Sequence, residues 1–196
     1  MENQSTSKKI NVLIAASGSV AAIKLPLIIK ELSQYERLEV QVVTTQSALH
    51  FFQPSQLVND KGELVKVWTD DQEWKSWSKI SDPIVHIELR RWADVILVCP
   101  CSANTLAKIS NGLCDNLLTS LIRATNPKDT PVIIFPSMNT LMYDHPLTQK
   151  QIRVIEEIGV EVNGPISKTL ACGDIGLGAM TEWKDIVELV VTRFLK

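Results

Sequence analysis

The sequence predicts an α/β fold: a three-layer α/β/α sandwich with a parallel Rossmann-like (flavodoxin-like) sheet, in a single domain. Three observations lead to this prediction. Apolar runs of strand length alternate with segments whose apolar residues recur at helical spacing. The run at residues 95–99 is unbroken and rich in β-branched residues, which is typical of a strand buried on both faces. The 196 residues suit one domain with a full core.

The composition is that of an ordinary globular protein and argues against several functions. Hydrophobic residues make up 45%, charged residues 21%, and the formal net charge is −2. Without a long basic block we expect no nucleic-acid partner, and no apolar run reaches the roughly 18 residues of a membrane span. Residues 1–8 are polar and lack an apolar signal core, so we expect a disordered start before a domain at residues 9–196.

The cysteines also bear on the class of protein. There are four, and their spacing matches no zinc pattern, so we expect no metal site. With no secretion signal, the expected state is a reduced thiol in a cytoplasmic protein.

The first strand, residues 10–16, leads through a tight turn into a helix. Gly18 permits the turn, and Ser19 can cap the helix, which should run to residue 32 with a kink at Pro26. The turn has one glycine where the dinucleotide fingerprint has three. A mononucleotide phosphate turn and a plain strand-to-helix connection both remain open.

A second strand, residues 38–44, also ends in polar residues: Thr45, Gln46 and Ser47. Residues 53–81 have no regular pattern and are long for a connection, which is often a sign of function. They contain three tryptophans that could stack on a ring or lie at a subunit contact, although core packing is expected for at least one.

A short helix should follow, with Asp82 as its N-cap and Pro83 at its first position. This places His86 in the first turn, where the positive end of the helix favours a neutral imidazole. A purely structural histidine is the alternative.

The strand at residues 95–99 should stop at Pro100, since proline cannot donate to a sheet, and a helix should begin after Ser102. Such a helix points its free N–H groups at the carboxyl edge of the sheet, where α/β proteins bind anions. An ordinary capped turn is the alternative. Hydroxyl-rich turns after three strands together predict a site for a phosphate and a chain of hydroxyls.

The second half of the chain continues the alternation. A strand at residues 131–135 runs into the polar stretch 136–146, and a helix and a short strand follow at 147–158 and 160–162. Residues 170–180 contain three glycines within six residues, so we expect a mobile loop there. A closing helix should cover residues 182–194.

Six short segments, in order, resemble the homo-oligomeric flavin-containing cysteine decarboxylases. They are residues 18–20, 85–89, 102–105, 112–118, 136–139 and 171–174. Each is weak alone, but together they span residues 10–180. Two departures are small: Ser137 stands where the family usually has alanine, and Tyr143 where it often has tryptophan.

The resemblance implies FMN as cofactor, 4′-phosphopantothenoylcysteine as substrate, and a homotrimer with active sites shared at subunit contacts. It implies that His86 and Cys172 are catalytic. The residues implied to bind substrate are Asn139, Arg91, Ala171 and Met180. Those implied to bind the cofactor are Gly18, Ser19, Val20, Thr45, Gln46, Ser47, Ser102, Ala103, Asn104, Thr105 and Ser137.

Two other functions stay open. One is a related flavoprotein with another substrate, such as a peptide-cysteine decarboxylase or a flavin prenyltransferase; retention of His86 and Cys172 argues against the latter. The other is a non-enzymatic regulator that binds a protein phosphatase. Regulators of that kind often carry a long acidic tail, which this sequence lacks, so we expect an enzyme.

Overall fold

A parallel sheet of six strands forms the centre of the computed structural model, which describes residues 8–195. In spatial order its strands are β3 (Val67–Trp68), β2 (Leu38–Thr44), β1 (Ile10–Ala16), β4 (Val95–Cys101), β5 (Val132–Pro136) and β6 (Glu161–Val162). Since β1 pairs in parallel with both β2 and β4, the strand order reverses between β1 and β4. A crevice opens at such a reversal, beyond the carboxyl ends of the strands.

Helices cover both faces of the sheet, which confirms the predicted three-layer α/β/α sandwich. On one face α1 (Leu25–Leu32) and α8 (Trp183–Phe194) pack against alternate residues of β1 and β4. The other face carries α3 (Val85–Trp92), α4 (Ala103–Ser110), α5 (Leu117–Ala124) and α7 (Pro146–Glu157). Two short helices, α2 (Asp70–Lys75) and α6 (Thr140–Asp144), lie in the connections.

Both prolines that we expected to interrupt an element are accommodated. Residues 20–24 form a short 3₁₀ helix and α1 begins at Leu25, so Pro26 lies in the first turn of α1, where a missing N–H costs nothing. Pro100 lies within β4, which continues to Cys101. Proline lacks only the donor; the Pro100 carbonyl still accepts a hydrogen bond from Ser17 N at 3.1 Å.

Two loop predictions were also wrong. The glycine-rich stretch 170–180 holds the turn, at 170–174, and the second strand of an antiparallel hairpin, in which β7 (Ile166–Thr169) pairs with β8 (Ile175–Ala179). Residues 53–81 contain β3 and α2 rather than only irregular chain. In both segments a strand forms because it pairs with another strand, β3 with β2 and β8 with β7, and local periodicity does not reveal such pairing.

The helix predicted to start with Asp82 as N-cap is α3, which begins instead at Val85 with Ile84 as N-cap. The Asp82 carboxylate caps a preceding turn, where it accepts hydrogen bonds from Ser78 and from Lys79 N. These hydrogen bonds, the one from the Ser78 hydroxyl first, lower the pKa of Asp82. Of the segment predicted to be disordered, residues 1–7 lie outside the described part of the chain.

Candidate active site

The polar turns after the strands meet at the crossover crevice. Ser17 is buried; its Oγ donates to Pro100 O at 2.9 Å and accepts from Ser102 N at 2.8 Å, which ties the end of β1 to that of β4. The Ser19 and Ser137 hydroxyls lie 2.9 Å apart, so the turn after β5 also reaches this edge. The structure therefore brings hydroxyls from several strand ends into one crevice.

The turns after β1 and β2 pack closely. A Cβ at Gly18 would lie 2.6 Å from Ser47 Oγ, so only glycine allows this approach. Ser47 Oγ in turn lies 3.1 Å from Thr45 Oγ1, while Gln46 beside them is exposed. The chain thus forms a narrow hydroxyl-lined wall on one side of the crevice.

Helix α4 begins at the same edge. Ser102 is its N-cap, and its Oγ accepts a hydrogen bond from Thr105 N at 3.2 Å, as the sequence predicted. Ala103 and Asn104 form the first turn and expose backbone N–H groups toward the edge of the sheet. Such an N-terminus favours a negatively charged group.

A first cavity of about 370 Å³ opens beside the crevice, between the 3₁₀ helix and the β7–β8 hairpin. Ser19, Val20 and Ser137 line it from the crevice side. The predicted substrate-binding and catalytic residues that line it are Asn139, Ala171, Cys172 and Met180. The structure therefore brings most of these residues into one cavity.

At the rim of this cavity, Asn139, Cys172 and Asp174 form a hydrogen-bonded cluster. Asn139 Nδ2 donates to Asp174 Oδ2 at 2.7 Å, and Cys172 Sγ donates to the same oxygen at 3.3 Å. The amide nitrogen lies 3.4 Å from the sulfur. Sequence reasoning missed Asp174, although it belongs to the recognised segment 171–174.

The hairpin is held against the cavity by Gly178. Its φ is +153°, and a Cβ there would lie 2.3 Å from Met138 O. Met138 N donates to Gly178 O at 3.0 Å. Because the hairpin carries Cys172 and Met138 precedes Asn139, this contact sets the two predicted site residues beside each other.

His86 lines a different cavity of about 340 Å³, formed by α2, α3 and the start of α5. Its Nδ1 is hydrogen-bonded to Glu73 Oε1, and the Glu73 side chain is only 12% exposed. Asp70 on the same helix accepts a hydrogen bond from Leu117 N at 2.7 Å, which anchors α2 to α5. Sequence reasoning missed Glu73, which lies in the segment expected to be irregular.

The remaining predictions for this region have mixed outcomes. Trp68 packs against the core, as expected for at least one tryptophan, and its Nε1 donates to Gln41. Trp74 and Trp77 line the His86 cavity and are 79% and 52% exposed. Arg91 lies on the exposed side of α3 and donates to Glu88 at 2.8 Å, outside the linings of both cavities.

The thiols fall into two groups. Cys99 and Cys101 are buried in β4, and burial raises the pKa of Cys99 to about 12 and that of Cys101 further. Cys114 and Cys172 are exposed free thiols, so these two cysteines are the ones accessible for reaction. Among residues 8–195 we find no group of three or more acidic, histidine or cysteine side chains suited to a metal ion.

A parallel sheet with a hydroxyl-lined crevice at its crossover defines an α/β protein of the mononucleotide-binding kind. The profile described as Flavoprotein matches residues 1–195, and the chain belongs to this family. No helix in the described range is long and apolar enough to cross a membrane.

Among named relatives, phosphopantothenoylcysteine decarboxylase of Arabidopsis thaliana is 49% identical over 182 residues, which cover 93% of this chain and 84% of that protein. A probable thymidylate synthase of Schizosaccharomyces pombe is 50% identical over 194 residues, 98% of this chain. The chain spans only 30% of that longer protein's length.

Two solved structures share the fold closely. A cysteine-to-serine mutant of PPC decarboxylase complexed with pantothenoylaminoethenethiol has a TM-score of 0.87 and 46% identity, covering 96% of this chain and 100% of that one. The FMN binding protein AtHal3 has a TM-score of 0.86 and 47% identity, covering 96% and 98%.

Proposed function

We propose that this chain catalyses the FMN-dependent decarboxylation of 4′-phosphopantothenoylcysteine to 4′-phosphopantetheine, a step of coenzyme A biosynthesis. The observation that carries the proposal is the cluster of Asn139 and Cys172 in a cavity that shares Ser19 and Ser137 with the crossover crevice. The similarity to proteins named phosphopantothenoylcysteine decarboxylase supports it.

The residues of the crevice fit FMN. Its donors are hydroxyls and backbone N–H groups, which suit one phosphate and a ribityl chain, and the turn at Gly18 lacks the glycines that a pyrophosphate requires. Ser102 to Thr105 would hold the phosphate end, and Ser19, Ser47 and Ser137 would bind hydroxyl groups. Bound there, FMN supplies two-electron oxidation of the substrate thiol and returns the electrons at the end.

Oxidation of the thiol is what makes decarboxylation feasible. A cysteine amide that loses CO2 directly leaves an unstabilised carbanion, whereas a thiocarbonyl β to the carboxylate accepts the electron pair. In this proposal the Asn139 amide binds the carboxylate without a charge that would hold it in place. His86 positions the carboxylate or moves a proton in this first half of the reaction.

The second half saturates the ene-thiol product. Cys172 is the proposed proton donor, because it is exposed to the cavity as a free thiol next to Asn139. The hairpin that carries Cys172 would exclude water from the site.

The proposal includes a homotrimer whose active sites combine residues of two chains. Within one chain His86 lines one cavity, while Asn139 and Cys172 line another. Exposed apolar side chains lie around both cavities. They are Trp74, Trp77 and Ile84 near His86, and Leu141, Ile175 and Leu177 near the hairpin. Apolar surfaces of this kind favour burial at a subunit contact.

The shared site can be tested by co-expression. His86→Asn and Cys172→Ser should each form almost no saturated thiol alone, whereas mixed trimers should contain some sites with intact His86 from one chain and intact Cys172 from its neighbour. Activity should therefore reappear and elute at trimer size. Absence of recovery, with mixing of the two chains demonstrated by mass spectrometry, would place the whole site in one chain.

We also propose a cytoplasmic location. Cys172 and Cys114 are exposed and free, as expected of thiols in a reducing compartment. Fractionation of cells that express a tagged full-length chain would test this.

The experiment that tests the function is incubation of the purified protein with 4′-phosphopantothenoylcysteine and measurement of CO2. The protein should be yellow, and heat should release FMN and not FAD. A peptide with a carboxyl-terminal cysteine serves as the control substrate and should release little CO2. A colourless protein that takes up no FMN, or preference for the peptide, would refute the assignment.

Two variants separate the half-reactions. In a single turnover Cys172→Ser should still release CO2 but accumulate the unsaturated ene-thiol with the flavin left reduced, whereas His86→Asn should release little CO2. Cys114→Ser is the matched thiol control, since Cys114 is also an exposed free thiol but lines the cavity of His86 and not that of Cys172, and it should leave the ratio of saturated thiol to ene-thiol unchanged. Normal yields of saturated thiol from Cys172→Ser would contradict its proposed role.

A further inference from the structure

We propose that Asp174 is a positioning residue that accepts the S–H hydrogen bond of Cys172 and holds this thiol beside Asn139. This proposal rests on the proposed function, because it concerns the proton that Cys172 delivers. Asp174 lies in the turn of the β7–β8 hairpin, two residues after Cys172, and does not line the first cavity itself.

One carboxylate oxygen joins the cluster. Asp174 Oδ2 accepts from Asn139 Nδ2 at 2.7 Å and from Cys172 Sγ at 3.3 Å. Only a protonated thiol can donate to this oxygen; a thiolate would lose the hydrogen bond and face a like charge. The contact therefore favours the form of Cys172 that can deliver a proton.

Helix α6 sets the orientation of the Asn139 amide. Asn139 Oδ1 accepts a hydrogen bond from Leu141 N at 2.9 Å, as the cap of α6. With its oxygen bound to the helix, the NH2 group must face Asp174 and Cys172. An amide NH2 has two donors. One binds Asp174, and the other is directed at Cys172 Sγ, a weak acceptor 3.4 Å from the amide nitrogen that a substrate carboxylate would replace.

The backbone of the turn holds this arrangement. Leu170 N donates to Asp174 O at 2.8 Å, and Gly173 N donates to Leu170 O at 2.9 Å. Gly173 has a φ of +91°, which an L residue rarely adopts. The turn thereby sets the spacing between the Cys172 sulfur and the Asp174 carboxylate.

The proton step balances with groups already named. The S–H bond of Cys172 breaks, and its proton forms the new C–H bond at the carbon that lost CO2. The sulfur keeps the electron pair of the broken bond and is reprotonated from solvent. The negative charge of Asp174 beside it favours this reprotonation. The hydride that completes saturation comes from the cofactor reduced in the first half-reaction, so Asp174 affects product formation and leaves CO2 release largely unchanged.

Product partition is the first measurement. In a single turnover, Asp174→Asn in the FMN-loaded protein should release CO2 within about twofold of wild type but form about tenfold less saturated thiol, with the ene-thiol accumulating and the flavin left reduced. Asp174→Glu, which restores a carboxylate, should recover part of the loss. Asp60→Asn is the matched control, since Asp60 is exposed in a distant loop, and it should change neither product.

Alkylation of the thiols is a second measurement, independent of turnover. With iodoacetamide at pH 8, peptide mapping compares Cys172 with Cys114, an exposed thiol whose hydrogen bond is to Gly112 O. Removal of the carboxylate charge in Asp174→Asn should raise the ratio of the two alkylation rates about threefold or more. An unchanged ratio would show that Asp174 does not restrain the thiol.

The outcomes distinguish this inference from the proposed function. Wild-type protein that releases no CO2 would refute the function itself. Equal loss of CO2 and saturated thiol in Asp174→Asn would reduce Asp174 to a structural role. Additive losses in the double variant with Cys172→Ser would also overturn the proposal, because two residues that act through one proton should not add.

Discussion

Replacement of Gly178 by alanine tests how the hairpin is attached to the rest of the chain. Gly178 adopts a φ of +153°, and a Cβ there would lie 2.3 Å from Met138 O. The substitution therefore has to break the hydrogen bond from Met138 N to Gly178 O, which measures 3.0 Å. We expect the hairpin to move away from the segment that carries Asn139.

Two contributions set the size of the effect. A side chain in this backbone region costs about 1–3 kcal/mol. The buried N–H and carbonyl left without partners cost about 1–3 kcal/mol more. The sum is about 2–6 kcal/mol. At its midpoint of about 4 kcal/mol, the melting temperature should fall by about 8–16 °C for a chain of this length.

The matched control is Gly173→Ala in the same hairpin. Gly173 also has a positive φ, +91°, but nothing lies within 4 Å of its ideal Cβ. It should lose only the conformational part, about 1 kcal/mol or about 2–4 °C. Both melts are recorded by circular dichroism at equal protein concentration and FMN loading. If the two variants melt within about 2 °C of each other, close contact with Met138 does not hold the hairpin.

Three further outcomes follow from the structure. Glu73→Gln should lower CO2 release about tenfold, because Glu73 orients His86 through Nδ1, whereas Glu63→Gln in an exposed loop should not. Equal rates of CO2 release in the two variants would contradict this role of Glu73. Burial raises the pKa of Cys99 from 9.0 to about 12, so this thiol ionises at lower pH in the unfolded chain than in the folded one. The free energy of unfolding should therefore fall as the pH rises from 9 towards 12, and melting temperatures that stay constant from pH 8 to 11 would disprove this. Ser102→Ala removes the cap of α4, so it should lower the melting temperature by about 2–4 °C and weaken FMN binding. FMN fluorescence titration measures the affinity, and an unchanged affinity would show that Ser102 does not bind the cofactor.

The layers of this protein, and the edge of the sheet where its candidate site lies, could be predicted from the amino-acid sequence. The uninterrupted apolar run in β4 and the helical spacing that follows it are properties of short segments, so they can be recognised without knowledge of the fold. Ser102 was identified as a cap for the same reason, since a cap contacts only the next turn of its own helix. The parallel arrangement then placed the polar turns at one edge.

Which side chains of the candidate site contact each other could not be predicted in this way. Asn139 and Asp174 are 35 residues apart, and Glu73 and His86 are 13 apart on different helices. No local pattern encodes such contacts, because they depend on how the hairpin and α2 pack on the sheet. The same reason explains the errors: residues 175–179 form strand β8 because they pair with β7 and pack against residues 138–140, although their glycines alone indicate a loop.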